Sequence, residues 1–72
     1  MVHPELANRL KVLRAERDLT QEALADLVGV TRKTINTIER GVYVPSTLLA
    51  LRMARVLDEQ VEVIFQLREP QP

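Results

Sequence analysis

Two short segments, each bounded by a threonine and a glycine, follow one another between residues 20 and 41. Thr20 can cap a first helix by accepting a hydrogen bond from a free backbone N–H, and Gly29 can adopt the left-handed conformation that ends it. Thr31 and Gly41 bound a second segment in the same way. The pattern therefore predicts helices over about 20–28 and 31–40, joined by a tight turn as in a helix-turn-helix.

The second of these helices has two chemically different sides. Ile35 and Ile38 form its apolar stripe, in register with a preceding stripe of Leu24, Ala25 and Val28. Its outward residues are cations, an amide and a hydroxyl without any acid: Arg32, Lys33, Asn36, Thr37 and Arg40. Such side chains donate hydrogen bonds to phosphates and base edges, so this face is a candidate DNA-contacting surface.

Further helices are predicted on either side of this pair. Helical spacing of Leu6, Leu10 and Leu13 favours a helix from about Asn8 onward. Ser46 can cap a helix over roughly 47–57. A short fifth helix is predicted over about 59–65, although alternating apolar residues there also fit a strand.

The helix predicted over 47–57 is apolar on two sides and therefore needs two partners. One stripe is Ala50, Leu51, Ala54 and Leu57, and the other is Leu49, Met53 and Val56. The domain core can cover one stripe, and a second subunit can cover the other. We therefore expect a dimer interface formed by Leu48, Leu49, Met53, Val56 and Phe65.

Charge and composition exclude several functional classes. The net charge is zero, but residues 30–56 carry five Lys/Arg against one Glu, which concentrates positive charge around the candidate DNA-contacting helix. The absence of cysteine, together with His3 as the only histidine, disfavours a metal site, a cofactor and an enzyme. No run of about 20 apolar residues is present, so we expect no membrane segment and a cytoplasmic protein.

The order of these residues resembles the lambda-repressor and Cro-like helix-turn-helix family of bacterial and phage regulators, often called the XRE family. The resemblance rests on the runs Leu19–Ala25, Gly29–Thr31 and Ile38–Gly41 with Pro45, and it extends from about Leu10 to Phe65. Tyr43-Val44-Pro45 and Ile64-Phe65-Gln66 are similar to small stand-alone members of the cytolysin-repressor type.

The resemblance implies an all-α, compact five-helix fold over residues 1–68, with the helix-turn-helix at 20–41 and a C-terminal tail at 69–72. In the small members, the stretch that matches Glu5–Arg9 is extended and pairs with a C-terminal strand. A short terminal β-ribbon, with its second strand at Gln66–Arg68, therefore stands as an alternative to a purely helical chain.

The resemblance also implies roles for single residues. Lys33 lies where family members contact base edges, and a lysine there suits guanine, although an exposed lysine can also contact only phosphate or water. Arg32 can contact guanine or phosphate, Asn36 adenine, and Thr37 a thymine methyl group. Arg40 is expected on phosphate.

Residues outside the second helix of the motif complete the expected site. Gln21 is expected to bind a phosphate and brace the recognition helix, and Thr31 and Ser46 lie at helix starts that suit anions. Tyr43 can stack on Pro45 or bind a phosphate. The remaining expectation is structural and concerns Arg14 and Glu39, which form a partly buried salt bridge in the family.

These features predict a homodimeric repressor that binds an inverted repeat in double-stranded DNA. Two alternatives remain open at this point. One is an antitoxin that also regulates its own promoter, with a toxin as partner, which the lack of an extra toxin-wrapping segment disfavours. The other is a protein-interaction module that has lost DNA binding, which the zero net charge favours and the acid-free face disfavours.

Overall fold

The computed structural model describes residues 5–68, which form five helices and two short strands. In chain order the elements are β1 (Leu6–Asn8), α1 (Leu10–Glu16), α2 (Gln21–Val28), α3 (Arg32–Glu39), α4 (Thr47–Leu57), α5 (Val61–Ile64) and β2 (Phe65–Leu67). The predicted compact five-helix architecture is confirmed, and the alternative with a terminal ribbon is the one that the chain adopts.

The predicted caps set the helix boundaries. The hydroxyl of Thr20 accepts a hydrogen bond from Ala23 N at 3.0 Å, and the hydroxyl of Ser46 accepts one from Leu49 N at 3.1 Å. Thr31 caps α3 in the same manner. Gly29 ends α2 with φ 81°, a left-handed conformation that costs a residue with a side chain about 1–2 kcal/mol.

The start of the chain departs from the helical periodicity. Helix α1 begins at Leu10 rather than at about Asn8, and Leu6 belongs to β1. Strand β1 pairs antiparallel with β2, so that Leu6 lies opposite Leu67 and Asn8 opposite Phe65. Pairing with β2 supplies backbone hydrogen bonds that a frayed first helical turn would lack, and it shortens the fifth helix to Val61–Ile64.

The core lies where all five helices meet, and it includes every apolar residue predicted for α2 and α3. Helix α4 differs from the prediction, because its core stripe is Leu49, Met53 and Leu57, whereas Leu51 is 55% exposed. Leu49 and Met53 are 7% and 0% exposed, so assigning them to a dimer interface was wrong. Positions four residues apart lie on one side of a helix, and this side packs inward.

The other three residues of the predicted interface lie nearer the surface. Leu48 is 59% exposed, whereas Val56 and Phe65 are partly buried against the core. Within residues 5–68, no helix is both long and apolar enough to cross a membrane. His3 and the tail at 69–72 lie outside the described residues.

Candidate nucleic-acid interface

Helix α3 packs on α2 through Ile35 and Ile38, which are 0% and 1% exposed. Burial of these two residues orients the rest of the helix outward, as their spacing predicts. Arg32, Lys33 and Asn36 line one shallow cleft on the outer side of α3. The structure therefore brings together three of the residues predicted to contact DNA, all within the first five positions of the helix.

The one acid of α3 is withdrawn from the outward face. Glu39 has a side chain only 5% exposed, and its Oε2 accepts a hydrogen bond from Arg14 Nε at 2.8 Å. Its Oε1 accepts two more, from Arg14 Nη2 at 3.3 Å and from Gln21 Nε2 at 3.1 Å. Arg14 and Glu39 thus form the predicted ion pair, and the negative charge is neutralised beneath the cationic surface of α3.

The same ion pair connects three parts of the helical core. Arg14 lies on α1, and its Nη1 also donates to the carbonyl oxygen of Leu19 at 2.7 Å, just before α2. Gln21 is the first residue of α2, and Glu39 is the last residue of α3. The side-chain network therefore holds the C-terminal end of α3 against both preceding helices.

Hydroxyl groups at α3 are partly occupied within the protein. Thr31 Oγ1 accepts from Thr34 N at 3.3 Å and lies 3.1 Å from Thr34 Oγ1. Thr37 Oγ1 donates to the carbonyl oxygen of Thr34 at 2.9 Å. The hydroxyl proton of Thr37 is thus engaged within the helix, which leaves its methyl group and an oxygen lone pair for other contacts.

The remaining predicted contacts surround α3. Arg40 is exposed directly after the helix, and Tyr43 is 48% exposed in the loop that leads to α4. Ser46 is exposed at the start of α4, where its hydroxyl is used as the cap. Gln21 is half-buried, with its amide nitrogen on Glu39.

Sequence reasoning missed a second attachment of α3, made by Asn8. Asn8 Nδ2 donates to the carbonyl oxygen of Ile38 at 3.0 Å, while Asn8 Oδ1 accepts from Leu10 N at 3.1 Å. One amide therefore serves the start of α1 and the end of α3. An asparagine two residues before an apolar helical run is a capping signal, but helical periodicity obscured it.

Arg17 was also missed, and it joins two helix ends. Its Nη1 donates to the carbonyl oxygen of Leu13 at 2.9 Å, and its Nε donates to that of Leu57 at 2.8 Å. Its Nη2 lies 3.4 Å from Glu59 Oε1. A cation at the C-terminal ends of α1 and α4 satisfies carbonyl groups that lack helical partners.

Comparison with known proteins places these features in context. The HTH_3 helix-turn-helix family model matches residues 10–64. The uncharacterized HTH-type transcriptional regulator YgzD of Bacillus subtilis is 45% identical over 64 residues, covering 89% of this chain and 97% of that protein. An uncharacterized HTH-type transcriptional regulator of Methanothermobacter thermautotrophicus is 56% identical over 57 residues, covering 78% and 83% respectively.

Solved structures agree with the sequence comparison. The restriction-modification controller protein C.AhdI from Aeromonas hydrophila superposes with a TM-score of 0.72 at 36% identity, covering 76% of this chain and 83% of that one. An HTH_3 family transcriptional regulator from Vibrio cholerae superposes with a TM-score of 0.66 at 33% identity, covering 75% of this chain and 30% of that one.

Proposed function

This chain belongs to the HTH_3 family of helix-turn-helix proteins, and from that premise we propose that two copies bind an inverted-repeat operator in double-stranded DNA and repress transcription. At the coarser level, the chain is a DNA-binding HTH-type transcriptional regulator and not an enzyme. We assign DNA binding to residues 1–68 and place the protein in the cytoplasm, where it can reach DNA directly.

The observation that carries this proposal is the acid-free outer side of α3. Arg32, Lys33 and Arg40 are exposed, while Glu39 is held inward by Arg14 and Gln21. A helix that merely faced solvent would have no reason to sequester its only acid. A surface of donors with the carboxylate removed suits an anionic partner that also presents hydrogen-bond acceptors, as the DNA major groove does.

Each residue of this surface has a distinct proposed role. Lys33 and Arg32, in the first turn of α3, contact guanine, and Asn36 contacts adenine through its amide. Thr37 packs its methyl group on thymine, in keeping with its internally bonded hydroxyl. Phosphates are contacted from the margin of the surface by Gln21, Thr31, Arg40, Tyr43 and Ser46.

Dimer geometry follows from the requirement that two α3 helices enter successive major grooves on one side of the duplex. Their centres then lie about 34–36 Å apart, one helical turn of DNA. Two domains clamped across that span exclude other proteins from the same stretch of promoter, which is why we favour repression. Neither a metal, a cofactor nor a toxin partner is part of this proposal.

The experiment that tests this function is selection of bound sequences from a random duplex pool at about physiological salt. We expect enrichment of a short inverted repeat with half-sites one helical turn apart. A reporter gene placed behind the selected sequence should lose expression when the protein is supplied. Failure to enrich any sequence, or increased reporter expression, would contradict operator binding or repression respectively.

A further inference from the structure

An apolar groove lies between the ribbon, the loop after α3 and helices α4 and α5. Its walls include Leu6, Val44, Pro45, Leu51, Val61 and Phe65. We propose that this groove is where a second copy of the chain docks, and that docking fixes the loop that carries DNA contacts. This inference rests on the dimer of the proposed function and identifies the surface that forms it.

The groove has the apolar character of a protein interface. It encloses about 460 Å³, and two of its wall residues, Val44 and Leu51, are 45% and 55% exposed. Leu48, one turn before Leu51 on α4, is 59% exposed. Exposed apolar residues that cluster in this way mark interaction surfaces on small soluble domains.

The shape of this surface favours a second copy over an unrelated partner. It presents a cavity and, directly beside it, two projecting leucine side chains, Leu48 and Leu51. In a two-fold interface the same patch meets itself, so each copy must supply both the projecting and the receiving part. This patch contains both.

The charges around the groove are self-complementary as well. Glu62 on α5 lines the groove, and Arg55 is exposed on α4 one turn after Leu51. A partner of one charge sign would oppose one of these two groups. A second copy brings an acid and a base of its own, so a two-fold arrangement can match opposite charges across the interface.

Docking at this groove also involves the DNA-contacting loop. Val44 and Pro45 form part of the groove wall, and they lie between Tyr43 and Ser46, two of the proposed phosphate contacts. A second copy that packs on Val44 and Pro45 restricts the backbone on which Tyr43 and Ser46 are carried. Dimerisation therefore prepares the phosphate contacts in addition to pairing the two recognition helices.

Sedimentation equilibrium of the full chain without DNA tests the docking surface. Leu51→Glu places a carboxylate in the groove of both copies, and we expect it to raise the dimer dissociation constant by about 100-fold or more. Leu27→Glu is the matched control, because Leu27 is a helical leucine on α2, 58% exposed and outside the groove. It should leave the dissociation constant within about threefold, like other substitutions remote from an interface.

Val44→Glu provides a second variant on the opposite wall, and thermal melting verifies that all variants fold. In a dilution series of ¹⁵N-labelled wild type, the amide signals of Val44 and Leu51 should shift with concentration and that of Leu27 should not. The inference is overturned if wild type stays monomeric at high micromolar concentration, or if Leu51→Glu and Leu27→Glu weaken the dimer equally. A dimer that selects no DNA sequence would instead reject the proposed function.

Discussion

Glu39 determines whether the outer side of α3 is cationic or mixed in charge. Its carboxylate receives three hydrogen bonds from Arg14 and Gln21 and is almost fully buried. Gln21 therefore has a structural role in addition to the phosphate contact proposed for it. The family resemblance led to the Arg14–Glu39 pair, but no sequence pattern indicated that Gln21 would complete it.

Removal of Arg14 should destabilise the whole domain. Arg14→Ala leaves the Glu39 carboxylate buried with only Gln21 as a partner, and loss of one member of a buried pair costs about 3–5 kcal/mol. Thermal unfolding should show a large drop in melting temperature. Lys11→Ala, an exposed change on the same helix, is the control. Unchanged stability with weakened DNA binding would refute the structural role.

Lys33 and Arg40 should differ in how they affect binding. Lys33→Ala should lower discrimination at one base position by about 1–3 kcal/mol, because a base-edge contact is lost. Arg40→Ala should weaken binding to all sequences and reduce the salt slope by about one, as expected for a phosphate contact. Affinity measured on the selected operator and its single-base variants distinguishes the two. Equal effects on all sequences for Lys33→Ala would exclude base readout.

Gly29 should tolerate substitution only at the cost of backbone strain. An added Cβ would lie 3.7 Å from Arg52 Nη1, an ordinary contact, so Gly29→Ala is destabilised by its φ of 81° and not by a clash. We expect a loss of about 1–2 kcal/mol in chemical unfolding. Gly29→Asn should lose less, because asparagine adopts left-handed conformations more readily. Equal losses would indicate a steric cause.

At the scale of secondary-structure elements, the ribbon shows where periodicity fails. Leu6, Leu10 and Leu13 fit one helical face, yet Leu6 lies in β1 and only the other two lie in α1. Three residues of strand carry too little alternation to be recognised. The partner strand is almost 60 residues away in the sequence, so local pattern alone could not reveal the pairing.

Helix α4 shows a different limit. Both of its apolar stripes have helical spacing, so the sequence could not decide which one faces the core. Packing against α2 and α5 turned Leu49, Met53 and Leu57 inward and left Leu48 and Leu51 exposed. The expectation of a second partner for α4 stays a prediction, now assigned to a revised set of residues.

Asn8→Asp should loosen α3 while preserving the start of α1. The new carboxylate can still accept from Leu10 N, but it cannot donate to the Ile38 carbonyl oxygen. We expect a loss of about 1–2 kcal/mol and faster hydrogen exchange at Arg40 and Gly41. Asn8→Ala, which removes both bonds, is the comparison. Unchanged exchange at these two amides would show that Asn8 does not hold α3.

At the scale of the whole molecule, charge is separated along the chain and not in excess. Caps and apolar stripes predicted α2, α3 and their turn, because these signals are local and agree with one another. The zero net charge alone would have argued against DNA binding. Only the position of each charge, with Glu39 buried and Arg32 and Lys33 exposed, makes one surface cationic.

The salt dependence of operator binding should therefore be modest. Three cations per copy lie on or directly after α3, so a dimer neutralises at most about six phosphates with them, which gives a log–log slope no steeper than about −5. Affinity titrations between low and physiological salt measure this slope. A value near −10 would mean that further cations, such as Arg52 and Arg55, also contact DNA.

The register of the ribbon has a consequence for how this domain folds. Contacts between α2 and α3 are local, but pairing Leu6 with Leu67 requires closure of a loop that spans nearly the whole described chain. The entropic cost of closure delays such contacts relative to local ones. A circular permutant that joins the two ends beside the ribbon would convert its slowest contact into a hairpin, and we expect it to refold faster than the natural chain order.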